Sequence, residues 1–330
     1  MKKNTASRTA QYMALYRAME AQRPERRRLF TDPYAKYFLD RGLRLAAWAT
    51  VFPPFERLLY RYLQRRIPGS LASGLARTRL IDDWLESWLY RGIRQVIVLG
   101  AGFDTRSLRL QALRSIPVIE IDHPDTAHKK LSILRRVLPS LPENTRYLSI
   151  DFDKQSLEEL FNREGIDFSL PTFFIWEGVT NYLQPEAING TFSLAGRFAE
   201  GSVMLFTYVH RQVLDEPAAF FGAERLLRDV AEIHERWTFG FVPEELPGYL
   251  RAYGVELMED AGAAEYREKY LAERKSILKG YEFYRVAMAV KRGYPQTQSL
   301  KRFSSCASHR ALFSGETNLT MLRLIHFLFL

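Results

Sequence analysis

Cysteine is nearly absent from this chain, with Cys306 the one such residue among 330. That excludes an internal disulfide framework and any zinc site built on cysteines, and no metal centre is expected. Long apolar runs are missing too. The longest, around residues 45–55 and 324–330, fall short of the roughly 20 residues that span a bilayer. Residues 1–8 lead into no uninterrupted apolar stretch of the secretory kind, so the expected compartment is the cytoplasm. Acids are scarce at the front: residues 1–94 hold 19 Lys and Arg against 8 Asp and Glu, while the remainder is close to balance. The net charge of +9 is therefore a property of the N-terminal segment, densest at Arg26-Arg27-Arg28. A solvated helical face accounts for such a bias. An acidic partner or a membrane surface is the alternative, and no recognisable nucleic-acid module accompanies the charge. Core-forming material is plentiful: 47% hydrophobic and 13% aromatic residues exclude wholesale disorder.

One missing glycine is more informative. The apolar run 95–100 enters a Gly-x-Gly turn, Gly100-Ala101-Gly102, and a second run, Val118-Ile119-Glu120-Ile121-Asp122, ends on an acid 20 residues past Gly102. In a doubly wound α/β sheet the glycines admit a ligand close to the backbone, and the acid accepts hydrogen bonds from ribose hydroxyls. Glu120 lies on the same strand face as Asp122 and is a second candidate for that role. A dinucleotide site wants a third glycine at position 105, where this chain has Thr, and Asp104 stands where the pyrophosphate would come. A carboxylate beside a diphosphate is repulsive. S-adenosylmethionine, which carries an amine and a sulfonium but no phosphate, escapes that penalty and is the expected ligand. The same residues disfavour an oxidoreductase of the NAD type, which stays as an alternative beside a non-catalytic interaction protein that uses the basic N-terminal segment.

Periodicity predicts helices over residues 8–48, with Asp32 as N-cap and Pro33 at the first helical position of a further helix. Residues 43–63, rich in Leu, Ala, Trp and Phe and broken by Pro53-Pro54, read as core packing, a lid on an apolar substrate, or a membrane-surface contact. Another helix is expected over 75–94. Strands are expected at 95–100, 117–122, 145–151, 172–178, 202–209, 253–258 and 282–291, mostly parallel and covered on both faces, with an antiparallel strand at the edge near the end. The excursion 210–252, with Phe220, Phe221, Trp237, Phe239 and Phe241, is a candidate substrate cover. The organisation is thus a helical cap segment over 1–94, a core over 95–291 and a tail over 292–330 of unknown role.

Several motifs occur in a fixed order: Ser7-Arg8-Thr9-Ala10 with Arg17-Ala18-Met19-Glu20, Phe30-Thr31-Asp32-Pro33-Tyr34-Ala35, Arg77-Thr78-Arg79 with Asp82, and Leu99-Gly100-Ala101-Gly102-Phe103-Asp104-Thr105-Arg106. They continue with Glu120-Ile121-Asp122-His123-Pro124, Asp151-Phe152, Glu177-Gly178-Val179 with Tyr182-Leu183, and Trp237-Thr238-Phe239-Gly240. In this set, over about residues 6–291, the chain resembles the leucine carboxyl methyltransferase family, in its bacterial S-adenosyl-L-methionine-dependent branch. The resemblance implies a class I methyltransferase fold, Rossmann-like, with a seven-stranded sheet and helices on both faces. It also implies roles. Gly100, Ala101 and Gly102 would lie against the methionine part of the cofactor, and Asp122 would hold the ribose hydroxyls. Asp151 would bond the adenine amino group, with Phe152 beside the ring. Arg77 would pair with the cofactor's carboxylate, unless it pairs with Asp82 on its own helix, and Glu177 would face its amine.

Methyl transfer from a sulfonium releases a neutral leaving group, so alignment and exclusion of water are the main requirements. A carboxylate acceptor needs no general base, whereas a hydroxyl acceptor does. Tyr182, after the fourth strand, and His210, after the fifth, are the candidates. The expected reaction is O-methylation of a small, apolar metabolite on a hydroxyl or carboxylate.

Overall fold

The computed structural model describes residues 8–151, 155–232, 235–274 and 279–291; Phe152 and the tail 292–330 lie outside them. The chain opens with α1 (Arg8–Ala21), α2 (Arg41–Ala49), α3 (Pro53–Arg66) and α4 (Ser70–Leu89). Strands and helices then alternate as β1 (Gln95–Leu99), α5 (Arg106–Arg109), β2 (Val118–Asp122), α6 (Pro124–Val137), β3 (Thr145–Ser149), α7 (Leu157–Glu164) and β4 (Thr172–Trp176). They continue through α8 (Pro185–Ala195), β5 (Val203–Val209), α9 (Gln212–Asp215), α10 (Ala223–Glu232), α11 (Leu246–Arg251), β6 (Val255–Ala261), α12 (Ala263–Leu271) and β7 (Tyr284–Lys291).

The seven strands form one sheet in the order β3-β2-β1-β4-β5-β7-β6. The first five are parallel, and β7 runs antiparallel to both its neighbours. All seven expected strands are present, with ends displaced by a few residues. One expectation is corrected: the antiparallel strand is inside the sheet and β6 holds the edge. The compositions explain it. Strand β7 is buried along Val286–Val290, whereas β6 exposes Glu256 and Glu259, charges that discourage further pairing at an edge.

Alternation along the strands divides the core. Val96 and Val98 face the N-terminal helices and α12, while Ile97 and Leu99 face α7, α8 and α11. Burial on both faces is why these strands read as continuous apolar runs. Between β1 and β4 the strand order reverses direction, which opens a crevice at the carboxyl ends of the strands.

The excursion 210–252 divides between two jobs. Phe241 with Leu246 and Leu250 of α11 pack on the sheet face, whereas Val230 of α10 and Trp237 join a separate cluster with Phe283 and Tyr284. The helix expected from residue 75 begins earlier, at Ser70. After Asp32, a single 3-10 turn (Ala35–Phe38) replaces the further helix. Asp32 does cap it: Oδ1 accepts from the backbone N–H groups of Tyr34 at 3.1 Å and Ala35 at 2.9 Å. Its other oxygen accepts from Arg17 Nε at 2.9 Å and Thr105 Oγ1 at 2.6 Å. The turn is thereby bound to α1 and to the loop after β1.

Asp32 is buried, and burial alone would raise its pKa. The Arg17 and Arg109 guanidiniums and the Thr105 hydroxyl outweigh that and hold it below the usual carboxylate value. Replacing it with Ala strands charge in the interior, so Asp32→Ala is expected to cost about 3 kcal/mol in urea unfolding. Because folding lowers this pKa, the contribution is complete above about pH 4 and is lost as pH falls through the folded value. Asp32→Asn should therefore flatten part of the decline in stability below about pH 4; a slope identical to that of the wild type contradicts the assignment.

Candidate active site

Strand β1 ends in a turn that only small residues fit. Gly100 has φ +69°, and a Cβ there would overlap Val179 Cγ2; Gly102 has φ +48°. The N–H groups of Gly100 and Ala101 both donate to the Ile121 carbonyl, at 2.8 and 3.0 Å, which fastens the turn to β2. At the tip of β2, Asp122 accepts from the Gly102 N–H on one oxygen and from the His123 N–H on the other. Burial holds its carboxyl above the usual range despite those bonds. Glu120 has a different fate. It is buried between Lys130 of α6 and Ser107, bonded to both, and lies away from the crevice, which leaves Asp122 as the acid at the strand tip.

Behind the turn lies a chain of buried charges. Arg77 Nε meets Glu177 Oε1 at 2.8 Å, and Arg106 Nη1 meets Glu177 Oε2 at 3.0 Å. Arg106 also binds Asp104, and its Nε reaches Asp82 at 2.8 Å. Asp82 takes Arg109 Nη1 at 2.7 Å, and Arg109 Nε lies 3.9 Å from Asp32, which pairs with Arg17. Four guanidiniums thus face four carboxylates, so the cluster is neutral as a whole. Burial opposes the charged form of Glu177, but Arg106 and Arg77 hold its pKa below normal; Asp104 is held well below by Arg106.

This arrangement gives two residues singled out in the sequence their partners. Arg77 pairs with Glu177 across the fold and not with Asp82 on its own helix. Thr105, informative in the sequence as a missing glycine, anchors the loop to Asp32.

A cavity of about 550 Å³ opens at the carboxyl ends of β1, β2 and β4. Arg77, Gly100, Ala101, Gly102, Asp122, Glu177 and Tyr182 line it together. The Arg77 guanidinium stacks 4.6 Å from the Tyr284 ring centre, and its Nη2 meets the Met13 sulfur at 3.7 Å, a weak acceptor that a carboxylate would displace. The glycine turn, the acid at the tip of β2 and this guanidinium fit the backbone-hugging, ribose and carboxylate contacts that S-adenosylmethionine requires. Asp151 follows β3, half-buried and outside the cavity lining, with its carbonyl accepting from Gln155 N at 2.9 Å.

His210 is the candidate that geometry moves away. It does not line the cavity; its Nδ1 accepts from the Gln212 N–H at 3.2 Å and its ring lies 5.9 Å from Phe220. The imidazole packs and caps a turn. Other lining residues carried weaker sequence signals. Tyr281 comes just before the last strand, Tyr284 is its first residue, and Thr9 comes from α1. Glu235, in the aromatic excursion, accepts a 2.6 Å hydrogen bond from Thr9 Oγ1. Tyr182 stands edge-on to Trp237 at 6.5 Å, and burial, assisted by Glu235, pushes its hydroxyl up to about 12.

Residues 10–195 match the leucine carboxyl methyltransferase family. A provisionally named S-adenosyl-L-methionine-dependent methyltransferase of Streptomyces coelicolor is 31% identical over 250 residues, which is 75% of this chain and 82% of that protein. A protein of similar name from Bacillus subtilis, YktD, is 26% identical over 220 residues, or 66% of this chain and 72% of its own. Among solved structures, a provisionally assigned methyltransferase from Thermobifida fusca superposes with a TM-score of 0.57 at 18% identity, covering 88% of this chain and 97% of that one. That likeness concerns the fold. The glycine turn, the placement of Asp122 and the sequence match together assign the chain to the leucine carboxyl methyltransferase family, as an S-adenosyl-L-methionine-dependent methyltransferase.

Proposed function

We propose that the protein methylates a hydroxyl oxygen of a small, largely apolar metabolite, with a carboxylate as the second choice of acceptor. The observation that carries this reading is that Tyr182 and Glu235 line the cavity together with an aromatic set, Trp237, Tyr281 and Tyr284. Tyr182 keeps its proton at neutral pH and donates to the acceptor oxygen. Glu235, whose bonded partner is the neutral Thr9 hydroxyl, takes the acceptor's proton. A carboxylate acceptor beside Glu235 would meet repulsion, which ranks it second. In this scheme Glu235 replaces His210 as the base.

When bound, the cofactor supplies a methyl group on a sulfonium that is displaced in line. The chain's own residues position it. Asp122 receives the ribose hydroxyls, and the Gly100–Gly102 backbone lies along the methionine part. Arg77, held at Nε by Glu177, offers its remaining N–H groups to the carboxylate, while Glu177 faces the amine. Asp151 and Phe152 serve the adenine by resemblance to the family. The insertion 210–252 acts as the cover that excludes water, residues 1–94 as the cap and 95–291 as the catalytic core. The cytoplasm is the proposed compartment; among the described residues no helix is long and apolar enough to cross a membrane.

Calorimetric titration with S-adenosylhomocysteine should give micromolar binding that Asp122→Ala abolishes. Arg77→Ala should weaken it by ~10–100-fold, the size of a hydrogen bond to a charged group. Tyr182→Phe should leave this binding unchanged and lower kcat on an acceptor found by screening hydroxylated aromatic metabolites. A product methylated on nitrogen or carbon contradicts the proposal.

A further inference from the structure

We infer that the corner between α2 and α3 docks on an anionic lipid surface. Seven large hydrophobic residues are exposed among those described, and four of them stand together at this corner: Leu45 at 55%, Trp48 at 56%, Val51 at 50% and Phe52 at 55%. Helix α2 already buries Leu43, Ala46 and Ala47 against the core, so Leu45 and Trp48 form a second apolar face pointing outward. Trp48 and Phe52 meet edge-on at 5.8 Å, and the exposed Pro53 and Pro54 complete the tip. Monomeric surfaces rarely gather apolar groups this way without a contact to make.

The surroundings select the contact. Residues 41–66 carry six arginines and one acid, Glu56, which is bound to Arg23. Arg57, Arg61 and Arg65 recur every fourth residue along the solvent side of α3, while Arg41 and Arg44 are exposed on α2. Among the described residues none of these five pairs with a carboxylate. A second copy of the chain would bring like charge against like. The apolar end of the tail, 317–330, holds no acid to complement the arginines. A bilayer rich in acidic headgroups answers both features, with phosphates for the guanidiniums and an interfacial layer for an indole and short aliphatic groups. Helix α3 spans roughly 20 Å and ends at Arg66, which lines the cavity beside Ile67, so the helix that starts at the docking corner ends at the cavity. This suits an apolar acceptor but does not rest on one, because lipid binding is read without cofactor.

The test is sedimentation of the full chain with phosphatidylcholine vesicles, with and without phosphatidylglycerol, in low and high salt. Binding is expected with phosphatidylglycerol alone and should weaken in high salt. Trp48→Ser with Phe52→Ser, and separately Arg57→Glu with Arg61→Glu, should each reduce it about tenfold. Bromine-labelled acyl chains should quench tryptophan fluorescence in the wild type and much less in Trp48→Phe. None of these positions lines the cavity, so unchanged S-adenosylhomocysteine binding verifies that each variant is folded. The inference is overturned if the wild type ignores phosphatidylglycerol vesicles, or if both double variants bind as the wild type does. It also falls if Phe327→Ser with Phe329→Ser alone removes binding, which would make the tail the contact. Self-association that Trp48→Ser with Phe52→Ser abolishes would assign the corner to a second copy instead.

Discussion

The charge-balanced cluster of arginines and carboxylates behind the glycine turn is the constraint on which the rest of this structure depends. Three of its four carboxylates join elements distant in sequence: Asp32 links α1 to the loop after β1, Asp82 links α4 to α5, and Glu177 links α4 and α5 to the end of β4. A buried charge is costly alone and tolerable only when paired and hydrogen-bonded. The N-terminal helices and the sheet therefore cannot separate without exposing or stranding several guanidiniums at once. The cluster thus fixes the cap segment over the strand ends and gives the cavity its walls.

That coupling bears on function. The loop carrying Gly102, Asp104 and Thr105 packs Phe103 against Phe38 in the core, and its polar side is held by Asp122 at one end and by Asp32 and Arg106 at the other. A rigid turn lowers the ordering cost of binding, in line with preorganisation as a source of affinity. Neutrality of the cluster matters too. A cofactor with one carboxylate and two cationic centres meets no large uncompensated field, so Arg77 and Glu177 act on it locally.

Much of the fold was legible because burial on both faces of a parallel sheet writes apolar runs into the sequence, as at Val96–Leu99 and Val118–Ile121. The order of the last two strands was not, since periodicity gives strands but not neighbours; the acids of β6 were the available sign of an edge. In the site, the spacing from Gly102 to Asp122 brings the acid against the glycine turn because strand length and turn geometry fix it locally. His210 lies off the cavity for the opposite reason: a strand end restricts a residue's height in the fold but not the direction of its side chain. Thr105 shows a subtler limit. Its difference from a dinucleotide motif was visible, but its bond to Asp32 spans 73 residues and only the tertiary structure reveals it.

The most direct test of this account uses a residue that never touches the cofactor site. Asp32 is outside the cavity lining yet anchors both Thr105 and Arg17. Titrating S-adenosylhomocysteine into Asp32→Asn, at a temperature where circular dichroism shows the variant folded, isolates that role. The account predicts binding weakened by about tenfold, the loss of a hydrogen-bonded charge pair acting through the turn. Affinity equal to that of the wild type would contradict it, and would mean that the cluster stabilises the protein without shaping the site.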